Sequence, residues 1–173
     1  IQPEKISVIY NGVDTDVFKP DKIKRTMIRK KYSLNDETKI ILMVGVVYEQ
    51  KGMHIGLKAF CQIKKKISNC KMMIVGDGPQ LESLKKLVNV LNIEGDVIFC
   101  GFISNKETPF YYNAAEVFLN PTVRVEGFGI VIIEAMACGL PVLTSRIGGT
   151  ASTIDEGVSG FFVEPGDVES LAR

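Results

Sequence analysis

The chain has 173 residues, 46% of them apolar and 24% charged, enough for one domain with a proper core. That balance excludes a disordered tail, and a formal charge of +1 lacks the basic excess that marks a nucleic-acid binder. No apolar run approaches the roughly 20 residues of a membrane span, and the polar start Ile1-Gln2-Pro3-Glu4-Lys5 is unlike a secretory signal.

In chain order, Ile6 to Tyr10 reads as a strand stopped by the turn dipeptide Asn11-Gly12. Ile40 to Val44 is a strand apolar on both faces, as a central parallel strand requires. From Gly52 the period becomes helical: Met53, Leu57, Phe60, Ile63 and Ile67 share one side, and Lys64, Lys65 and Lys66 form a solvated, dipole-compatible end. Met72 to Val75 is the next strand, broken by Gly76-Asp77-Gly78-Pro79. The stripe Leu81, Leu84, Leu87, Val88 and Leu91 then predicts a helix. Asp96 to Phe99 reads as a strand, Ser104 to Ala115 as a helix despite Pro109, and Glu116 to Leu119 as a strand. Gly129 to Cys138 reads as a helix, Pro141 to Thr144 and Gly160 to Val163 as strands, and Asp167 to Arg173 as the first turns of a helix.

Such alternation predicts an α/β fold: a Rossmann-like, doubly wound parallel sheet with helices on both faces. Residues 21–173 form the domain, and residues 1–20 are a lead-in. Ligands of such sheets bind outside the carboxyl ends of the strands, so the loops after the strands are where chemistry is expected.

Several motifs fail on inspection. Cys61, Cys70, Cys100 and Cys138 contain no C-x-x-C pair and suit free thiols in a reducing cytoplasm. Gly45-Val46-Val47-Tyr48-Glu49-Gln50-Lys51-Gly52 outlines a P-loop, but Gln50 replaces its second glycine and Gly52 its Ser/Thr. Gly76-Asp77-Gly78 is followed by Leu81 where a dinucleotide fingerprint needs glycine. Asp14-Thr15-Asp16 has the form of a metal-binding D-x-D but follows directly on the Asn-Gly turn. His54, the only histidine, has no G-x-S-x-G elbow to work with.

One segment holds. Between Pro121 and Pro141, Glu126 and Glu134 bracket a loop-to-helix junction where Gly127 and Gly129 remove side chains. Free N–H groups at a helix start attract phosphate or an oxyanion. Were the segment wholly helical, eight residues would separate the two Cα atoms by about 12 Å. Glycosidase carboxylates sit about 5–9.5 Å apart across one bond. The pair therefore suits two ends of one extended ligand.

This segment resembles the E-x7-E motif of retaining GT-B glycosyltransferases, especially glycosyltransferase family 4. Asn11 to Phe18 resembles that family's interdomain segment. Val44-Gly45 through Gln50-Lys51-Gly52 resembles the first donor loop, and Val75-Gly76-Asp77-Gly78-Pro79 the second. Gly148-Gly149 and Gly160 through Asp167 resemble the closing motifs.

The resemblance implies the C-terminal, donor-binding half of a GT-B fold. Glu126 would contact donor-sugar hydroxyls and Glu134 the nucleotide ribose. Backbone amides of Phe128 and Gly129, with Gly127 beside them, would face sugar and diphosphate. Lys51 would neutralise the leaving diphosphate, and Gly45 and Gly78 would admit the ligand close to the backbone. The implied activity is retaining transfer of a UDP- or GDP-linked sugar to an acceptor hydroxyl, with no metal or other cofactor. The implied partner is an N-terminal acceptor domain of the same longer chain, which would also carry any membrane contact. Cytoplasmic residence is the default, and the fragment alone would bind donor and transfer little.

Two positions depart from the family. Val46 stands where an arginine usually pairs with the lysine on the diphosphate, with Arg124 a candidate substitute. Ser152 stands where glutamate is frequent. Val46 keeps open a binding module that has lost catalysis. A nucleotide-sugar epimerase fits less well because the whole E-x7-E segment is kept, and a dehydrogenase least because the glycine fingerprint is absent.

Overall fold

The computed structural model describes Gln2, residues 5–7 and residues 9–173. Six strands, β1 (Lys39–Val44), β2 (Cys70–Val75), β3 (Val97–Gly101), β4 (Val117–Asn120), β5 (Val142–Ser145) and β6 (Gly160–Val163), form one sheet in the order β3-β2-β1-β4-β5-β6. Every neighbouring pair is parallel. The chain builds outward from β1 to β3, then crosses back and builds outward again from β4. Strand order therefore reverses between β1 and β4, the place where sheets of this kind take their ligands.

Each face is covered by helices, as the apolar pattern of β1 requires. Ile41 and Met43 look toward α2 (Met53–Lys66) and α3 (Leu81–Val90), meeting Leu57, Phe60, Leu84 and Val88. Short α6 (Val168–Leu171) closes the same side through Leu171. Ile40 and Leu42 look the other way, toward α4 (Thr108–Ala114) and α5 (Ile130–Ala137), meeting Tyr111, Tyr112, Ile132 and Ala135.

Helix α1 (Lys22–Lys31) has no counterpart in the hydrophobic pattern. Its sequence, KIKRTMIRKK, buries only Ile28 and Arg29, so the apolar stripe that betrays other helices is missing. Asp21 was the available signal: its carboxylate accepts from the Ile23 and Lys24 N–H groups as an N-cap. The helix is held by polar contacts. Buried Arg29 donates to the carbonyls of Ala114 at 2.7 Å and Asn35 at 2.7 Å, and Arg25 donates to Glu116 at 2.6 Å.

Two expectations are corrected. The described residues of the expected first strand (Ile6, Ser7, Ile9 and Tyr10) pair with no other strand, and Val8 lies outside the described residues. Ile9 is 91% exposed, so no packed face supports a strand there. The turn falls later, where Val17 and Phe18 donate to the Asp14 carbonyl and Asp16 N–H to the Asp14 carboxylate. That local bonding accounts for Asp14 in the D-x-D. The second correction concerns α4, which starts at Thr108 and not Ser104, with Pro109 in its first turn. Proline lacks an N–H, which matters little there and much in a helix interior.

Candidate functional site

The site lies at the reversal point, where the loops after β1 and β2 face the start of α5. The β1–α2 loop ends in a 3-10 turn, Glu49–Lys51, and Gly52 follows with φ 65°. A Cβ on Gly52 would stand 1.8 Å from the Pro121 carbonyl oxygen, so only glycine allows the two loops to touch. Val123 N–H and Thr122 Oγ1 both donate to the Gln50 carbonyl, at 2.9 and 3.0 Å. This stitching sets Lys51 against the segment that carries Glu126.

Lys51 Nζ stands 2.8 Å from Glu126 Oε1, the side chains being 30% and 14% exposed. Glu126 is held from behind, because its carbonyl accepts from Gly149 N–H at 2.8 Å. The closing motif Gly148-Gly149 thus buttresses the glutamate loop. Ser152 ends the adjoining 3-10 turn and donates to the Gly149 carbonyl at 2.9 Å.

Helix α5 starts only at Ile130, so the segment from Glu126 to Glu134 is part loop and part helix. Gly129 caps it with φ 87°, and the N–H groups of Phe128 and Gly129 have no partner among the described residues. A recess of about 300 Å³ opens here, lined by Asn11, Lys51, Glu126, Phe128, Gly129, Ile130 and Val131. It offers one cation, one carboxylate and unpaired amides, the groups a sugar diphosphate would meet.

Val131 is shared with a second recess, also about 300 Å³. Its walls include Val44, Gly45, Val46, Val75, Gly76 and Asp77 from the ends of β1 and β2, with Phe102, Ile103 and Asn105 opposite. Glu134 reaches into it from α5. Tyr112 Oη donates to Glu134 Oε2 at 2.8 Å. Burial pushes the Glu134 carboxyl above its usual range, and the Tyr112 hydrogen bond opposes that rise. Burial and the facing carboxylate push the Tyr112 phenol far up, so it stays a proton donor at neutral pH.

The two glycines expected to admit a ligand differ. A Cβ on Gly45 (φ +149°) would meet nothing within 4 Å, and Gly45 lines the second recess. Gly78 lines neither recess, and a Cβ there would stand 2.6 Å from the Val47 carbonyl oxygen. Its smallness is taken up by contact between loops. Gly127 is exposed in the loop before Phe128. Arg124 is exposed and lines neither recess, whereas Val46 lines the second and is 50% exposed.

Neither Tyr112 nor Asn11 was an expected site residue, Asn11 having been read only as part of a turn and of the interdomain segment. Tyr112 looks like any core aromatic in a helix; its partner lies 22 residues away and only the packing of α4 on α5 joins them.

A family model described as "Glycosyl transferases group 1" matches residues 24–173. A GDP-mannose-dependent alpha-(1-6)-phosphatidylinositol monomannoside mannosyltransferase of Mycolicibacterium smegmatis is 34% identical over 166 residues, 92% of this chain and 43% of the relative. An N-acetyl-alpha-D-glucosaminyl L-malate synthase of Bacillus anthracis is 32% identical over 174 residues, 99% of this chain and 44% of the relative. The chain thus spans less than half the length of these curated relatives. Among solved structures, Anabaena HepE in complex with UDP-glucose superposes with a TM-score of 0.87 at 29% identity, over 96% of this chain and 45% of that one. The C-terminal domain of the Francisella tularensis group 1 family protein LpcC superposes with a TM-score of 0.79 at 26% identity, over 93% of this chain and 84% of that domain. The Rossmann-like sheet that these proteins share with it is the C-terminal half of a GT-B fold, and the chain belongs to the group 1 glycosyl transferases.

Proposed function

We propose that this chain is the donor-binding half of a retaining glycosyltransferase, which transfers a sugar from a nucleoside diphosphate sugar to an acceptor hydroxyl. The observation that carries this reading is the pair of neighbouring recesses that share Val131 in their walls. One holds Lys51 and Glu126, the other Glu134. An extended ligand lying across the start of α5 would place ribose hydroxyls at Glu134, the diphosphate at Lys51 and the α5 amides, and the sugar at Glu126.

In this reading Lys51 and the unpaired amides stabilise charge as the diphosphate leaves, and Glu126 orients the sugar. Preorganised donors aimed at developing charge are the largest catalytic lever open to such a site. Relatives named for GDP-mannose and a neighbour solved with UDP-glucose support a nucleoside diphosphate donor as a class. The acceptor would be held by a further domain of the full-length protein. Val46 favours a second reading, a donor-binding module without transfer, since an exposed apolar side chain occupies the position of the family's arginine.

Calorimetric titration of UDP, GDP, ADP and NAD into the native chain and Glu134→Ala tests the proposal. Saturable binding of one nucleoside diphosphate, weakened in the variant, is the expected result. Binding of NAD alone, or of none of the four, would overturn it.

A further inference from the structure

We propose that Tyr112 is the positioning residue of the nucleotide site: it holds Glu134 with Oε2 engaged and Oε1 free to accept from the ligand's ribose hydroxyls. The inference rests on the donor-site reading above and adds a residue to it. Glu134 sits in the second turn of α5, and a glutamate there has three side-chain torsions and several ways to turn. Among the described residues, the one hydrogen-bond partner of its carboxylate is Tyr112 Oη, at 2.8 Å to Oε2. Oε1 has no protein partner among those residues, and the side chain lines the second recess.

Tyr112 cannot easily follow a moving partner. It is fully buried, its ring 5.7 Å from that of Phe118 and 6.1 Å from that of Phe18, both at steep angles. A rigid neutral donor against a partly buried carboxylate does two things. It selects one rotamer of Glu134 before ligand arrives, which removes an ordering cost from binding. It also stabilises the charged form that ribose hydroxyls need as acceptor. The other titratable groups near Glu134 are Asp77 across the recess and Cys138 one turn along α5. Neither hydrogen-bonds its carboxylate.

Tyr112→Phe keeps the ring and removes one hydrogen bond. Titration of UDP and GDP should find the preferred nucleotide bound about tenfold more weakly, in line with a lost hydrogen bond to a charged group. The same variant should bind the 2′,3′-dideoxy form of that nucleotide as well as the native chain does, and the loss should vanish when Glu134 is already alanine. An equal loss on both sugars means that Tyr112 only supports the fold, and no loss on either means that it does not position Glu134. Both results overturn the proposal.

A ligand-free measurement separates this failure from failure of the donor-site reading. In ¹³C NMR of the native chain, the Tyr112 ζ-carbon should shift in step with protonation of the Glu134 carboxyl, and Glu134 should titrate at higher pH in Tyr112→Phe. Independent titration of the two groups overturns the coupling even if no nucleotide binds. Coupling without nucleotide binding would leave Tyr112 holding Glu134 for some other ligand, and the positioning of a nucleotide would be wrong.

Discussion

Lys51 and Glu126 form a pair that is worth little to the fold and much to the proposed reaction. With Lys51 30% exposed, a pair of this type adds about 0–1 kcal/mol of stability. Lys51→Ala should therefore melt within about 4 °C of the native chain, yet bind a nucleoside diphosphate about 10- to 100-fold more weakly. Affinity for the nucleoside alone should not change, which calorimetry can check. Val46→Arg should act in the opposite sense and tighten diphosphate binding. Glu134 carries the pH dependence. Its carboxyl is raised by burial, so nucleotide affinity should fall as pH drops through that raised value, earlier than an ordinary glutamate would impose. For stability the sign reverses. The folded chain holds the Glu134 proton to higher pH than the unfolded chain, so stability is lost as pH rises through the window between the two values. Glu134→Gln should then melt higher than the native chain at pH 7, with the difference closing on acidification. A lower melting point at pH 7 would refute that account.

At the scale of elements, one junction holds the fold and another holds the loops of the recess. Arg29 ties α1 to the end of α4 and the lead-in to β1, and it is buried to 2% exposure. Burial and neighbouring Arg25 lower its pKa, while Glu116 and Asp36 raise it. Arg29→Ala strips partners from buried carbonyls and leaves Glu116 with less compensation. Each buried carbonyl left without its partner costs about 1–3 kcal/mol, so thermal melting should fall by at least roughly 4 °C. The Gly52 junction is more local. Gly52→Ala would force Cβ into the Pro121 carbonyl and push the β1–α2 loop from the loop carrying Glu126. Nucleotide binding should suffer more than overall helicity, measured by calorimetry beside far-ultraviolet circular dichroism.

For the whole molecule, the proposed function assigns donor binding to this chain, which spans less than half the length of its curated relatives. The solved C-terminal domain of LpcC, 84% covered by this chain, is a precedent for studying such a half by itself. The 173-residue chain should bind a nucleoside diphosphate sugar and transfer it to no acceptor at a measurable rate. Under the proposed function, transfer should appear in the full-length protein, where a further domain would hold the acceptor and exclude water. Release of sugar from donor by the isolated chain onto any alcohol would refute the division.

Periodicity alone placed all six strands within two residues of their observed bounds, because each writes a short apolar run into the sequence, continuous in β1 and β2, which are buried on both faces. The link from Glu126 to Glu134, and the expectation that both serve one ligand, also came from sequence, since both sit within one local segment. Helix α1 left no apolar stripe to read, only the Asp21 cap, because its attachment is largely polar, through Arg25 and Arg29. The described residues of the expected strand before Asn11 stay unpaired, with Ile9 91% exposed and so without the packed face that an apolar strand needs. Only the tertiary structure decided that Lys51 meets Glu126, that Gly78 serves loop packing and that Tyr112 grips Glu134. Each is a contact between segments distant in sequence, made when a parallel sheet brings the ends of β1 and β2 to the start of α5.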